Sequence, residues 1–167
     1  MVDATRNLAV APFLVRLFES CHHALGRLAE QTRTMHDAFA ETGEVLFWLY
    51  AISNYRRVKP TLSPGLRWAR DRYAHGQLFT EPHKMSGDQY DTDFVWDRSS
   101  YAAPHWKHAL EIHFDNASAR PNKSGLRAYQ DELAGRPVLV TLQAEADRLL
   151  MEAVRRFTPR TDWRKST

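Results

Sequence analysis

Arg70, Asp71 and His75 are the residues of this chain best suited, by type and spacing, to do chemistry. They lie in the stretch Arg67-Trp68-Ala69-Arg70-Asp71-Arg72-Tyr73-Ala74-His75-Gly76. On a helix, Arg67, Asp71 and His75 are spaced i, i+4, i+8 and share one face. Asp71 there accepts a hydrogen bond from the His75 imidazole and sets its tautomer. Arg70 is adjacent and long enough to reach an anion near His75. A positioned histidine moves a proton and a fixed guanidinium stabilises developing charge, the two needs of phosphodiester cleavage. The same spacing also describes an ordinary solvated salt-bridge face, where each pair contributes about 0.3 kcal/mol.

Arg70-Asp71-Arg72-Tyr73-Ala74-His75 resembles the signature of HEPN domains, an Arg followed by a polar residue and then by a His a few residues on. The preceding Gly65-Leu66-Arg67-Trp68-Ala69, and the later stretch from Ala128 to Val138, are similar to a group of uncharacterised actinobacterial and phage proteins. The resemblance implies a helical bundle, usually dimeric. It implies a metal-independent endoribonuclease without a cofactor, of the kind found in toxin–antitoxin and phage-defence systems. In that reading His75 acts on the ribose 2′-hydroxyl or the leaving oxygen, Arg70 stabilises the phosphorane and Asp71 orients His75. Arg67 or Arg72 holds flanking phosphates. One histidine does not readily serve as both acid and base, so a homodimer that pairs two motifs is expected. The family also contains inactive members, which implies an alternative: a binding protein such as an antitoxin, an adaptor or a phage protein bound to a host target. An antitoxin or other protein partner is therefore expected beside RNA. The residues alone also allow a third reading, a plain helical interaction module.

Charge agrees with a nucleic-acid partner without requiring one. The net charge is +3 and the isoelectric point about 9.2. The basic residues cluster near the motif: Arg56, Arg57, Lys59, Arg67, Arg70 and Arg72 stand against Asp71 alone between Asn54 and His75. Arg56, Arg57, Lys59, Arg67 and Arg72 are the candidate RNA-binding residues. Arg56, Arg57 and Lys59 equally suit the negative end of the helix before them. The single Cys21 excludes an internal disulfide and reads as a buried, inert thiol. No apolar run is long enough to span a membrane. The first residues lack the layout of a signal peptide, so a cytoplasmic location is expected.

The elements that must position the motif read as helices of a single domain over residues 1–167. A bundle occupies about 12–76 and 123–157, and an irregular, aromatic-rich insert about 77–122. Pro12 to about Phe39 forms a long helix with Leu14, Leu17, Phe18, Cys21, Leu25 and Leu28 on its apolar stripe. Glu41-Thr42-Gly43 breaks or kinks the pattern. A second helix runs from Glu44 to Val58 and is apolar nearly all round from Val45 to Ile52, which suits a central position or a partner subunit. Glu44 is a candidate partner for Arg70. Ser63 caps the motif helix, Pro64 takes its first turn and Gly76 ends it. The short connection makes the second and third helices antiparallel neighbours. Lys123 to Ala134 is a short helix stopped by Gly135, and Pro137 opens the last one, to about Phe157, with Leu139, Leu142, Ala146, Leu149, Ala153 and Phe157 inward.

In the insert, Gln77–Thr80 and Thr92–Asp97 read as two strands of a small β-hairpin lying on the bundle. Its aromatics, Phe79, Tyr90, Phe94, Trp96, Tyr101, Trp106 and Phe114, are expected to pack on the bundle, the alternative being to stack on bases. His105, His108 and His113 lack a further ligand at a recognised spacing, so no metal site is assigned.

Overall fold

The computed structural model describes residues 11–31, 35–55, 61–73, 78–79, 83–84, 101–102, 104–112 and 123–157. Over these the chain is mainly helical. Helix α1 is Pro12–Gln31, α2 is Met35–Ser53, α3 is Pro64–Arg72, α4 is Lys123–Glu132 and α5 is Val138–Phe157. Two-residue strands β1 (His83–Lys84) and β2 (Tyr101–Ala102) and a short 3₁₀ turn, Ala109–Glu111, lie between α3 and α4.

In α1 the predicted stripe is buried, with Leu14, Leu25 and Leu28 almost wholly inaccessible. Burial pushes the Cys21 thiol up to about 12, so it stays protonated and unreactive. Phe13 meets Tyr55, and Arg27 meets Glu41 and Glu44, so the start of α1 faces the end of α2 and the pair is antiparallel.

The boundary between these helices departs from the expected one. α1 ends by Gln31, and Phe39 belongs to α2. Glu41-Thr42-Gly43, read as a break, lies inside α2, because tertiary contact outweighs glycine's poor propensity. Thr42 is fully buried, and a Cβ on Gly43 would meet the Tyr73 ring at 3.0 Å. The glycine admits a neighbour. At its other end α2 stops at Ser53, short of Val58: the side chains of Ser53 and Asn54 both donate to the Tyr50 carbonyl and compete with the helix ladder.

Val45, Leu46, Leu49 and Ile52 of α2 are all buried, while Phe47 stands 58% exposed on the opposite side. α5 packs on α1 and α2 through Leu142, Ala146, Leu149 and Ala153. α3 lies antiparallel to α2, with Arg70 at Tyr50 and Tyr73 at Phe39. It is antiparallel to α4 as well, with Gly65 at Glu132 and Trp68 at Gly125.

The ribbon differs from the predicted hairpin. Phe79 bridges to Trp106, His83 pairs with Ala102 and Lys84 with Tyr101, all in one antiparallel register. The described pairing thus sets Phe79, His83 and Lys84 against Trp106, Ala102 and Tyr101, and the expected strand Thr92–Asp97 lies outside the described residues. Trp106 donates its backbone N–H to the Arg136 carbonyl and accepts from Gly135, which ties the ribbon to the α4–α5 turn. Gly135 sits there at φ +73°, a left-handed conformation that suits glycine. The buried Tyr129 hydroxyl shares its proton between the carbonyls of Leu78 (3.0 Å) and Lys107 (2.8 Å), the neighbours of the bridged Phe79 and Trp106. Phe79 and Trp106 are buried and meet edge to face, so these two insert aromatics belong to the core and are not free to stack on bases. Tyr90, Phe94, Trp96 and Phe114 lie outside the described residues.

Candidate functional site

Two carboxylates from distant helices fix the start of α3. Ser63 does not cap it with its side chain, contrary to the expectation from sequence. Glu132 Oε2 accepts the Gly65 N–H at 2.8 Å, and Glu145 Oε1 accepts the Ser63 N–H at 2.8 Å. Negative charge is favourable at this end of a helix. Gly65 permits the approach, since a Cβ there would stand 2.7 Å from Glu132 Oε2 and 3.0 Å from the Ala128 carbonyl.

Glu145 is 6% exposed and pairs in bidentate fashion with Arg148 (2.8 and 2.7 Å), which also donates to the Thr61 carbonyl at 2.6 Å. That pairing raises the pKa of Arg148, chiefly through its hydrogen bond to Glu145. A buried carboxylate so satisfied holds the chain entering α3 in place.

Gly65, Leu66, Trp68 and Ala69 form the inward face of α3. Trp68 is wedged so closely over Gly125 that a Cβ there would lie 2.4 Å from its Cδ1. With this face committed to the core, Arg67 and Asp71 are turned outward and Arg70 stands at the edge. Arg70 Nη1 donates to Asp71 Oδ1 at 2.9 Å. Its Cζ lies 3.7 Å from the Tyr50 ring centroid, a cation–π contact. The guanidinium is thereby held on one flat side and at one nitrogen.

Arg70 and Asp71 therefore come together as neighbours. Asp71 has Arg70 as its partner at Oδ1, and the expected contact with His75 falls outside the described residues. His75 lies outside the described residues, as do Arg56, Arg57 and Lys59. Arg67 is exposed. Arg72 is half-buried, and its Nε is enclosed without a hydrogen-bond partner among the described residues. Glu44, a candidate partner for Arg70, instead pairs with Arg27 and accepts from Trp48 Nε1 at 3.2 Å. The antiparallel packing of α1 and α2 sets Arg27 beside Glu44, while Arg70 lies nearly two turns farther along α2.

At the far end of α3, Tyr73 stacks on Phe39 with centroids 4.5 Å apart and planes 17° off parallel. Its hydroxyl donates to the Phe39 carbonyl, and burial pushes that hydroxyl's pKa upward. Sequence reasoning missed Tyr50, Phe39, Glu132 and Glu145 as residues that shape the site. Glu145 alone left a signal, an acid set within the apolar stripe of α5.

Among the described residues no group of three potential metal ligands occurs. His105 bridges Pro137 through its backbone, and His108 Nδ1 lies 3.2 Å from Gln130 Nε2. His113 lies outside the described residues. No described helix is long and apolar enough to cross a membrane.

No protein-family model, curated protein or solved structure matches this chain.

Proposed function

We propose that this chain is a HEPN-like, metal-independent endoribonuclease that works as a homodimer. The observation that carries the reading is the seating of Arg70. Its guanidinium rests on Tyr50 and pairs with Asp71, and among the described residues these contacts leave Nε and Nη2 open to phosphate oxygens. A donor fixed before the reaction costs no reorganisation as charge develops on the phosphorane. His75 follows five residues later in the chain and supplies the proton transfer. Arg67 adds an exposed positive charge on the same helix.

The homodimer finds support on the outer side of α1 and α2. Phe13, Leu17, Phe47, Trp48, Ala51 and Tyr55 line an apolar groove of about 500 Å³. Phe13 and Phe47 leave 60% and 58% of their surface in water. Contiguous exposed apolar surface of this kind marks an interaction site. Tyr50, which carries Arg70, lies on the same helix as the groove residues Phe47, Trp48 and Ala51.

The Arg70–Asp71 ion pair also favours a second reading, an inactive HEPN-like RNA-binding protein, because the two charges already satisfy one another. Incubation of the purified protein with labelled structured and unstructured RNAs in EDTA separates the two. Cleavage that leaves a 2′,3′-cyclic phosphate is expected. RNA binding without cleavage would overturn the ribonuclease and leave the binding protein.

A further inference from the structure

Phe39 is an exposed aromatic that the fold nevertheless holds still. Its residue surface is 40% accessible. One face of its ring is covered by Tyr73, and Phe79 stands at 6.5 Å, tilted, beside it. The stack is fixed from below: Tyr73 is pressed on Gly43 and its hydroxyl is bonded to the Phe39 carbonyl. The accessible part of Phe39 therefore lies away from Tyr73. A flat, wet, pre-oriented ring is what stacking on another flat ring requires, because little rotamer freedom remains to be lost.

Position gives the ring a ligand. Phe39, Gly43 and Tyr50 fall on one face of α2, and α3 packs along that face from Tyr73 to Arg70. Eleven residues separate Phe39 from Tyr50, about 16 Å of helix. The α2–α3 junction thus carries a guanidinium seated on an aromatic at one end and an open aromatic at the other. A positive charge for the backbone and an aromatic for a base, a few nucleotides apart, is the pattern by which proteins hold single strands.

We propose that Phe39 is a stacking platform for an unpaired RNA base, and that the substrate crosses the α2–α3 junction as a single strand. The proposal rests on the ribonuclease reading for the phosphate contact at Arg70. Stacking needs no particular base, so it selects unpaired RNA over duplex and confers little sequence preference.

The test is fluorescence anisotropy with a 2′-O-methyl single-stranded oligonucleotide, which cannot undergo internal attack, together with 2-aminopurine placed at successive positions. Phe39→Leu, which keeps apolar bulk, is expected to weaken binding about tenfold and to abolish 2-aminopurine quenching at one position. The salt dependence of binding should not change, because no phosphate contact is lost. Phe39→Trp is expected to bind at least as tightly as wild type. Thermal melts verify that both variants fold. If Phe39→Leu binds and quenches like wild type, the ring serves packing or a protein contact and the proposal is overturned. If the wild type binds with these signatures but cuts no unmodified RNA, the platform stands and the ribonuclease reading falls. If the wild type binds no RNA, both are overturned.

Discussion

Arg70 is held from two directions, by the Tyr50 ring beneath it and by Asp71 beside it. Both contacts depend on the shape of a guanidinium. A lysine at this position keeps the charge but lacks the planar fork and stacks less well. Arg70→Lys is therefore expected to lose about a hundredfold in cleavage rate while melting as wild type does, measured by single-turnover kinetics beside a thermal melt. A Lys variant of wild-type rate would show that any positive charge suffices. The sequence named Arg70 and Asp71 through their local pattern. It gave no view of Tyr50, because that contact joins residues twenty apart in the chain and depends on how α2 and α3 cross.

At the scale of elements, α3 is a short helix whose place is set by its neighbours. Nine residues of helix would not persist alone in water. Glu132 and Glu145 hold its start, Trp68 locks it to α4 at Gly125, and Tyr73 locks its end to α2 at Gly43. Gly125→Ala must displace the Trp68 ring, since the new Cβ would lie 2.4 Å from Cδ1. A loss of about 1–3 kcal/mol in stability is expected by urea unfolding. A variant as stable as wild type would mean that Trp68 is not wedged there.

The α1–α2 pair carries its own electrostatic clamp. The Arg27 hydrogen bond holds the Glu44 carboxyl below its usual 4.5. A carboxyl depressed in the fold contributes stability above its unfolded value and loses it as pH falls through the folded value. Arg27→Gln should thus flatten the loss of stability on acidification below about pH 4.5, followed by urea unfolding between pH 3 and 6. An unchanged slope would show that the pair does not contribute.

Helix periodicity made α1 and α5 legible, because each needs an inward stripe that the sequence displays, while α3 and α4 were legible from the Pro64 start and the Gly135 stop. The α1–α2 boundary was not legible, since Gly43 looks like a stop until Tyr73 is seen against it. The partner of Phe79 was not legible for a related reason. Strand pairing depends on long-range register, and the Tyr129 hydroxyl that joins Leu78 to Lys107 is far away in sequence.

For the whole molecule, a core shared by all five helices and the Phe79–Trp106 bridge presents the α2–α3 junction on one side. The aromatic groove of α1 and α2 remains open. The nearly all-round apolar character of α2 was visible in its sequence. The fold divides it into Val45, Leu46, Leu49 and Ile52 inside and Phe47 outside. Phe47→Asp is expected to shift the protein from dimer to monomer in light scattering at tens of micromolar without loss of helical circular dichroism. A wild-type protein that is monomeric at that concentration would show that the groove is not a self-association surface.

His75 carries the proton transfer of the proposed ribonuclease. The measurement is the rate at which wild type and His75→Ala cut one labelled, unstructured RNA in EDTA, with product ends identified. Wild type is expected to cut and to leave a 2′,3′-cyclic phosphate. His75→Ala, folded as judged by its melt, is expected to cut nothing measurable. Wild type that does not cut, or His75→Ala that cuts as fast as wild type, would contradict the proposed ribonuclease.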